Sequence, residues 1–187
     1  NSPVLLNPPI DNGCVDQIYI HNPGAYDVDG DSLSYSLIPC RGAEGLDIPG
    51  YTYPIATDSI SINPVTGDLM WVKPPIQGEF NIAILIEEYR NGVKIGSVTR
   101  DMQINIIGCT DQHPPVIQTI SDTCVEAGDT LIFDVMATDP DGDMIDLTAT
   151  GGPFEVDDSP AWLDPDPAVG QDTVITTFTW PTLCKHV

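Results

Sequence analysis

The chain has 187 residues, enough for one large domain or two small ones, and its 41% hydrophobic share suffices for a packed core. Its 28 acidic residues against 6 basic ones give a net charge of −22, which disfavours phosphate backbones and anionic lipid as partners and attracts cations, calcium above all. No apolar run approaches the roughly 18 residues of a membrane span, and the opening at Asn1, without methionine or leader, leads us to expect a piece of something longer.

In chain order, strands are predicted over "QIYIHN" (17–22), "SLSYSLI" (32–38), "SISI" (59–62), "DLMWV" (68–72), "FNIAILIEEY" (80–89) and "SVTRDMQINII" (97–107). These runs alternate or are β-branched, and Gly, Pro, Asn and Asp separate them. Asn91-Gly92 in "RNGVKIG" is the strongest short hairpin signal and joins the last two strands. With 18 prolines and no sustained helical period, long helices are excluded. The expected fold is all-β, a sandwich of immunoglobulin-like type.

The pattern then repeats. Pro8 recurs at Pro114 (offset 106), Cys14 at Cys124 (110), Ala25 of "AYDVDGDSL" at Ala137 of "ATDPDGDMI" (112), and Trp71 at Trp180 (109). Agreement in this order means two copies of one domain, over 1–109 and 110–187. Copy one carries two strands after its tryptophan, whereas only seven residues follow Trp180. Copy two therefore lacks its final hairpin in this chain, and a sandwich so cut would expose core and strand edges; the natural protein is expected to continue beyond Val187.

The Asp-rich loops pose the functional question. An EF-hand loop needs a carboxylate at its twelfth position; counted from Asp27 that is Ile38, and from Asp139 it is Thr150, which rules the EF-hand out. Strand parity sets both loops at the top of their domains, with the first turn and the loop after the Trp strand at the bottom. The same parity places Cys124 and Cys184 at one end of copy two, where they are expected to pair and close a loop of about 60 residues, worth roughly 3–4 kcal/mol. In copy one Cys14–Cys40 is the expected bridge, with Cys14–Cys109 as its rival. Five cysteines placed singly, with no CxxC pair, suit disulfides in an exported protein.

Catalysis is not expected. His21, His113 and His186 share no metalloenzyme spacing, Gly-x-Ser-x-Gly is absent, and Glu87 and Glu88 point to opposite faces of their strand. Trp71 and Trp180 read as core residues, as does Trp162, for which stacking on a sugar ring is the alternative.

The stretch "SISINPVTGDLMWVKPPIQGEFNIAILIEEYRNG" (59–92) resembles the cadherin-like, putative-Ig repeats of bacterial surface proteins. Ile62, Asn63, Pro64, Thr66, Gly67, Gly78 and Phe80 fill the positions of that pattern. With "CVEAGDTL…ATDPDGD", the chain is similar to repeats in large secreted adhesins of gliding bacteria with type IX-sorted ends. The resemblance implies tandem immunoglobulin/cadherin-like sandwiches in an extracellular or cell-surface stalk.

It also makes the "A-x-D-x-D" steps look like the cadherin calcium loop, which gathers ligands at a domain junction. By parity, Asp16, Glu79 and the linker residue Asp111 would meet Asp139, Asp141 and Asp143 around one or two Ca2+ ions, while Asp27, Asp29 and Asp31 would face a preceding domain. The linker, Asp111-Gln112-His113, lacks the central acid of the cadherin pattern. The alternative is that these Asp-Gly steps cap turns by side-chain hydrogen bonding and bind no metal. Expected partners are neighbouring repeats, with a surface glycan or protein in the binding alternative, through the loop "CRGAEGLDIPGYTYPI" (40–55). A third possibility is a non-catalytic spacer attached to a secreted enzyme.

Overall fold

Sheets dominate the computed structural model, which describes residues 2–110 and 112–186. The chain divides into two units, Asn1–Thr110 and Asp111–Val187, against the 109/110 boundary expected from the repeat.

The first unit holds β1 (Val4–Leu5), β2 (Ile10–Cys14), β3 (Ile18–His21), β4 (Ala25–Tyr26), β5 (Ser32–Ile38), β6 (Ile60–Ile62), β7 (Leu69–Val72), β8 (Gly78–Arg90) and β9 (Val93–Ile107). One sheet has the order β2-β9-β8-β5, a second β3-β7-β6, and β1 pairs with β4. Tyr19, Leu69 and Trp71 from the second sheet pack against Tyr35, Ile82, Ile84, Ile86, Met102, Ile104 and Ile106 from the first. Period-2 alternation puts Ile82, Ile84 and Ile86 on one face of β8, all fully buried, so two sheets close on one core as in a β-sandwich. Asn91 and Gly92, with φ of 52° and 76°, make the two-residue turn that joins β8 to β9. The 63–68 turn is held by Asn63, whose Oδ1 accepts the N–H groups of Val65 (2.9 Å) and Thr66 (3.2 Å). Gly67 follows at φ 80°, and a Cβ there would stand 2.9 Å from the Tyr35 ring.

Sheet order decides the disulfide. β2 runs parallel to β9, with Cys14 opposite Ile107, and the bridge joins Cys14 to Cys109 with Cα atoms 5.5 Å apart. The expected Cys14–Cys40 pair does not form. Cys40 follows β5, which β8 and β9 separate from β2. Cys40 is a buried free thiol, and burial pushes its pKa up.

The second unit comprises β10 (Val116–Gln118), β11 (Thr130–Thr138), β12 (Met144–Leu147), a short helix α1 (Gly152–Glu155), β13 (Trp162–Asp164), β14 (Ala168–Gln171) and β15 (Thr173–Pro181). Its sheets are β10-β11-β15-β13 and β12-β14. The repeat survives at the level of pairing. Val4↔Tyr26 recurs as Val116↔Thr138, and Tyr19↔Trp71 as Leu131↔Trp180. Ile62↔Leu69 recurs as Leu163↔Phe178. Among the described residues, no strand of the second unit corresponds to β8 or β9. The expected Cys124–Cys184 bridge is also not made, since both are free, exposed thiols. By the repeat spacing Cys124 is the counterpart of Cys14, which ends β2 and finds its partner just past β9, but Cys124 itself lies in no strand.

Candidate metal centre

Both Asp-rich loops take the same shape. In the first, Asp27 Oδ1 accepts the N–H groups of Asp29 (2.9 Å) and Asp31 (3.0 Å), and Gly30 N–H donates to the Asp27 carbonyl at 3.2 Å. In the second, Asp139 Oδ1 accepts from Asp141 (2.9 Å) and Asp143 (3.1 Å), with Gly142 donating to the Asp139 carbonyl at 3.3 Å. Gly30 and Gly142 share φ of 78°, a conformation that favours glycine. The spelling D-x-D-G-D is therefore first of all a turn, in which the leading aspartate caps backbone donors.

The loops differ in what surrounds their carboxylates. In the second unit, Asp141 Oδ2 accepts the His113 N–H (2.5 Å) and Oδ1 meets its ring Nδ1 (3.0 Å), while Asp143 Oδ2 accepts from Gln112 Nε2 (2.9 Å). The hydrogen bond from His113 holds the Asp141 carboxyl below its usual range. These acids already have protein donors.

In the first unit, Asp27 is only 6% exposed, and its Oδ2 is buried with no hydrogen-bond partner. Facing it is Glu88, 5% exposed, the next inward position after Ile82, Ile84 and Ile86, beside a β-bulge between Glu88 and Tyr89. One oxygen each from Asp27, Asp31 and Glu88 lie within 4.8 Å of one another. Gly96 on β9 leaves the Glu88 carboxylate room: a Cβ at that position would stand 2.6 Å from its Oε2. Arg90 closes the outer side, with Nε on Asp31 Oδ1 (2.7 Å), Nη2 on Asp31 Oδ2 (2.6 Å), and a longer 3.6 Å approach to Asp29 Oδ2.

The electrostatics follow from this crowding. Burial pushes the Glu88 carboxyl above its usual range, and the adjacent Asp27 and Asp31 push it further. Asp31 goes the other way, lowered mainly by the Arg90 hydrogen bond. One guanidinium faces four acids. A hard divalent cation prefers six to eight oxygens at roughly 2.3–2.6 Å, and the converging carboxylates with an orphaned buried oxygen fit such an ion.

The other expected ligands are placed differently. Asp16 and Glu79 are exposed residues of the first unit, and Asp111 lies outside the described residues. Among the described residues, Asp27, Asp31 and Glu88 are the one group of three able to share an ion. Glu88 was missed by sequence reasoning, although its signal was present: it continues the Ile82-x-Ile84-x-Ile86 stripe, so an acid falls in core-facing register.

The histidines serve structure. His21 is buried, its Nδ1 2.9 Å from Asp11 Oδ2, to which Tyr19 Oη donates at 3.1 Å. His186 stacks on Trp180 with ring centroids 5.3 Å apart. Trp71 is fully buried, Trp180 half-buried and Trp162 exposed.

No family model matches the chain, and no curated protein matches it. Among solved structures it is similar to the crystal structure of Dpr2 Ig1-Ig2 in complex with DIP-Theta Ig1-Ig3, with 11% identity over 97% of this chain and 87% of that one and a TM-score of 0.31. A likeness this distant adds nothing to the fold read from the sheets themselves.

Proposed function

We propose that this chain is a structural spacer from a large extracellular or cell-surface protein of the adhesin kind, and that calcium stiffens it at the Asp27–Asp31–Glu88 centre. The observation that carries the calcium reading is the buried, unpartnered Asp27 Oδ2 beside buried Glu88. Two copies of one sandwich, following each other without a linker domain, suit a repeated spacer. The Cys14–Cys109 bridge suits an oxidising compartment. Asp27, Asp31 and Glu88 would supply carboxylate oxygens to the ion, with Asp29 beside them. The ion would replace like-charge repulsion by attraction and tie the loop to β8.

The test is a calcium titration followed by thermal melting. Calcium should raise the melting temperature of the first unit in the wild type and leave Asp27→Asn unmoved. Identical melting in chelator and in millimolar calcium would sink the reading.

A second reading is favoured by the 40–55 loop, which exposes Leu46, Ile48, Tyr53 and Ile55. Tyr53 meets Tyr51 edge-on at 5.8 Å, and Tyr51 Oη donates to the Asn81 carbonyl at 3.1 Å. Apolar side chains held out by an anchored loop suit a protein- or glycan-binding module, and glycan-array or pull-down binding lost in Tyr53→Ala would support it.

A further inference from the structure

The Asp27–Asp31–Glu88 centre carries a cation of its own, the Arg90 guanidinium, on a carboxylate that a metal ion would also use. Nε meets Asp31 Oδ1 at 2.7 Å and Nη2 meets Asp31 Oδ2 at 2.6 Å. Both oxygens of one of the three converging acids are thus engaged in a two-point, charge-assisted pair. Arg90 owes this place to β8. It lies two positions beyond Glu88, so strand alternation sets the acid and the guanidinium on one face.

The pair differs from an ordinary structural ion pair in three ways. The loop does not need it for its shape: the second D-x-D-G-D loop makes the same turn while Asp143, the counterpart of Asp31, accepts from the neutral amide of Gln112 at 2.9 Å. Its exposure is lopsided, with the Asp31 side chain 4% exposed and that of Arg90 51% exposed. The guanidinium can therefore leave toward water without unpacking the core, while the carboxylate stays. And the pair leaves the centre's strongest demand unmet. Arg90 reaches Asp31 and, at 3.6 Å, Asp29, but Asp27 Oδ2 stays buried with no hydrogen-bond partner. A planar fork fits one carboxylate, whereas a spherical ion draws oxygens from several at once.

We propose that Arg90 is the centre's internal competitor for calcium: guanidinium and ion hold Asp31 in turn, and this exchange keeps ion binding weak and readily reversed. The inference rests on the calcium reading of the centre. Two cations on one carboxylate repel each other, so ion binding releases Arg90 toward solvent. Without the ion, the guanidinium offsets repulsion among Asp27, Asp29, Asp31 and Glu88. With it, Arg90 cancels part of the negative charge by which oxygen sites tune their calcium affinity.

The test uses the full chain with calcium as the probe, by calorimetric titration and thermal melting. Wild type is compared with Arg90→Gln and Arg90→Lys, and Asp27→Asn serves as the control for the centre itself. Arg90→Gln should bind calcium about tenfold more tightly than wild type, melt lower in chelator and gain more on saturation. Arg90→Lys, which keeps the charge but not the fork, should fall between the two. In wild type the Arg90 Nε–H nuclear magnetic resonance should move to a solvent-exchanging position as calcium is added, a readout that needs no substitution. A merely structural guanidinium would give the opposite result, looser calcium binding once it is removed. Equal or weaker binding by both Arg90 variants, while wild type binds and Asp27→Asn does not, overturns the competition and leaves the calcium centre standing. So does an Arg90 Nε–H signal that stays in place at calcium saturation. Failure of both wild type and Arg90→Gln to bind calcium overturns the centre and the competition together.

Discussion

Glu88 is an acid placed where its neighbours on the same face are isoleucines. Its raised carboxyl pKa has a definite sign in stability. A carboxyl whose folded pKa lies above its unfolded value costs nothing while protonated, and the cost grows as pH rises from the ordinary glutamate value through the raised one. Asp31, Glu87 and Asp141, all lowered by hydrogen-bonded basic side chains, act oppositely, and their contributions are lost as pH falls through their folded values. The Glu88 effect is therefore isolated by difference. In chelator, Glu88→Gln should melt above wild type, by a margin that widens between about pH 4.5 and neutrality. In calcium the ranking should reverse, because the substitution removes a ligand. Differential scanning calorimetry at several pH values checks both.

Gly67 makes a simpler case. Its positive φ and the Tyr35 ring at 2.9 Å from a Cβ both oppose a side chain, so Gly67→Ala should cost roughly 1–3 kcal/mol in urea unfolding. At this scale much was legible: the turn chemistry of 63–68, the shared shape of the two Asp-rich loops and the Asn91-Gly92 hairpin all follow from short-range spelling. Which aspartate is left with an unpartnered oxygen was not legible, because that depends on Glu88 and Arg90, some sixty residues away.

Among the elements, β8 and β9 are the longest strands and carry most of the first core. Trp71, fully buried beneath them, should cost about 3–5 kcal/mol when replaced by alanine. Trp180, its half-exposed counterpart, should cost clearly less, and chemical unfolding of the two variants makes the comparison. Strand identity could be read from alternation, but sheet order could not, since it needs the parallel β2–β9 pairing across nearly a hundred residues. The cysteine expectations erred for that reason. Parity tells which end of a sandwich a residue occupies, whereas a disulfide also needs the right strand neighbour. In native protein, thiol reagents should label Cys124 and Cys184 quickly and Cys40 only on unfolding, as mass spectrometry would show.

For the molecule as a whole, the repeat was legible because the Pro-Pro, Cys-Val, D-x-D-G-D and tryptophan markers recur in order; the tryptophans and the strands that lead into the D-x-D-G-D loops hold equivalent places in the pairing, whereas Pro114 precedes the counterpart of β1 while Pro8 follows β1, and Cys124 lies in no strand. The units differ in what their cores are covered by. Reduction should therefore act on one unit alone. Removing the bridge with Cys109→Ser should lower the stability of the first unit by about 2–5 kcal/mol and leave the second transition in place.

The bridge has one more effect, which appears only when the two ends of the chain are pulled apart. It joins residues 95 apart in sequence, so tension entering at Cys14 leaves at Cys109 through a covalent link and bypasses the sandwich between them. Roughly 310–340 Å of backbone, at 3.3–3.6 Å per residue, is thereby withheld from extension. The first unit therefore keeps its length under force.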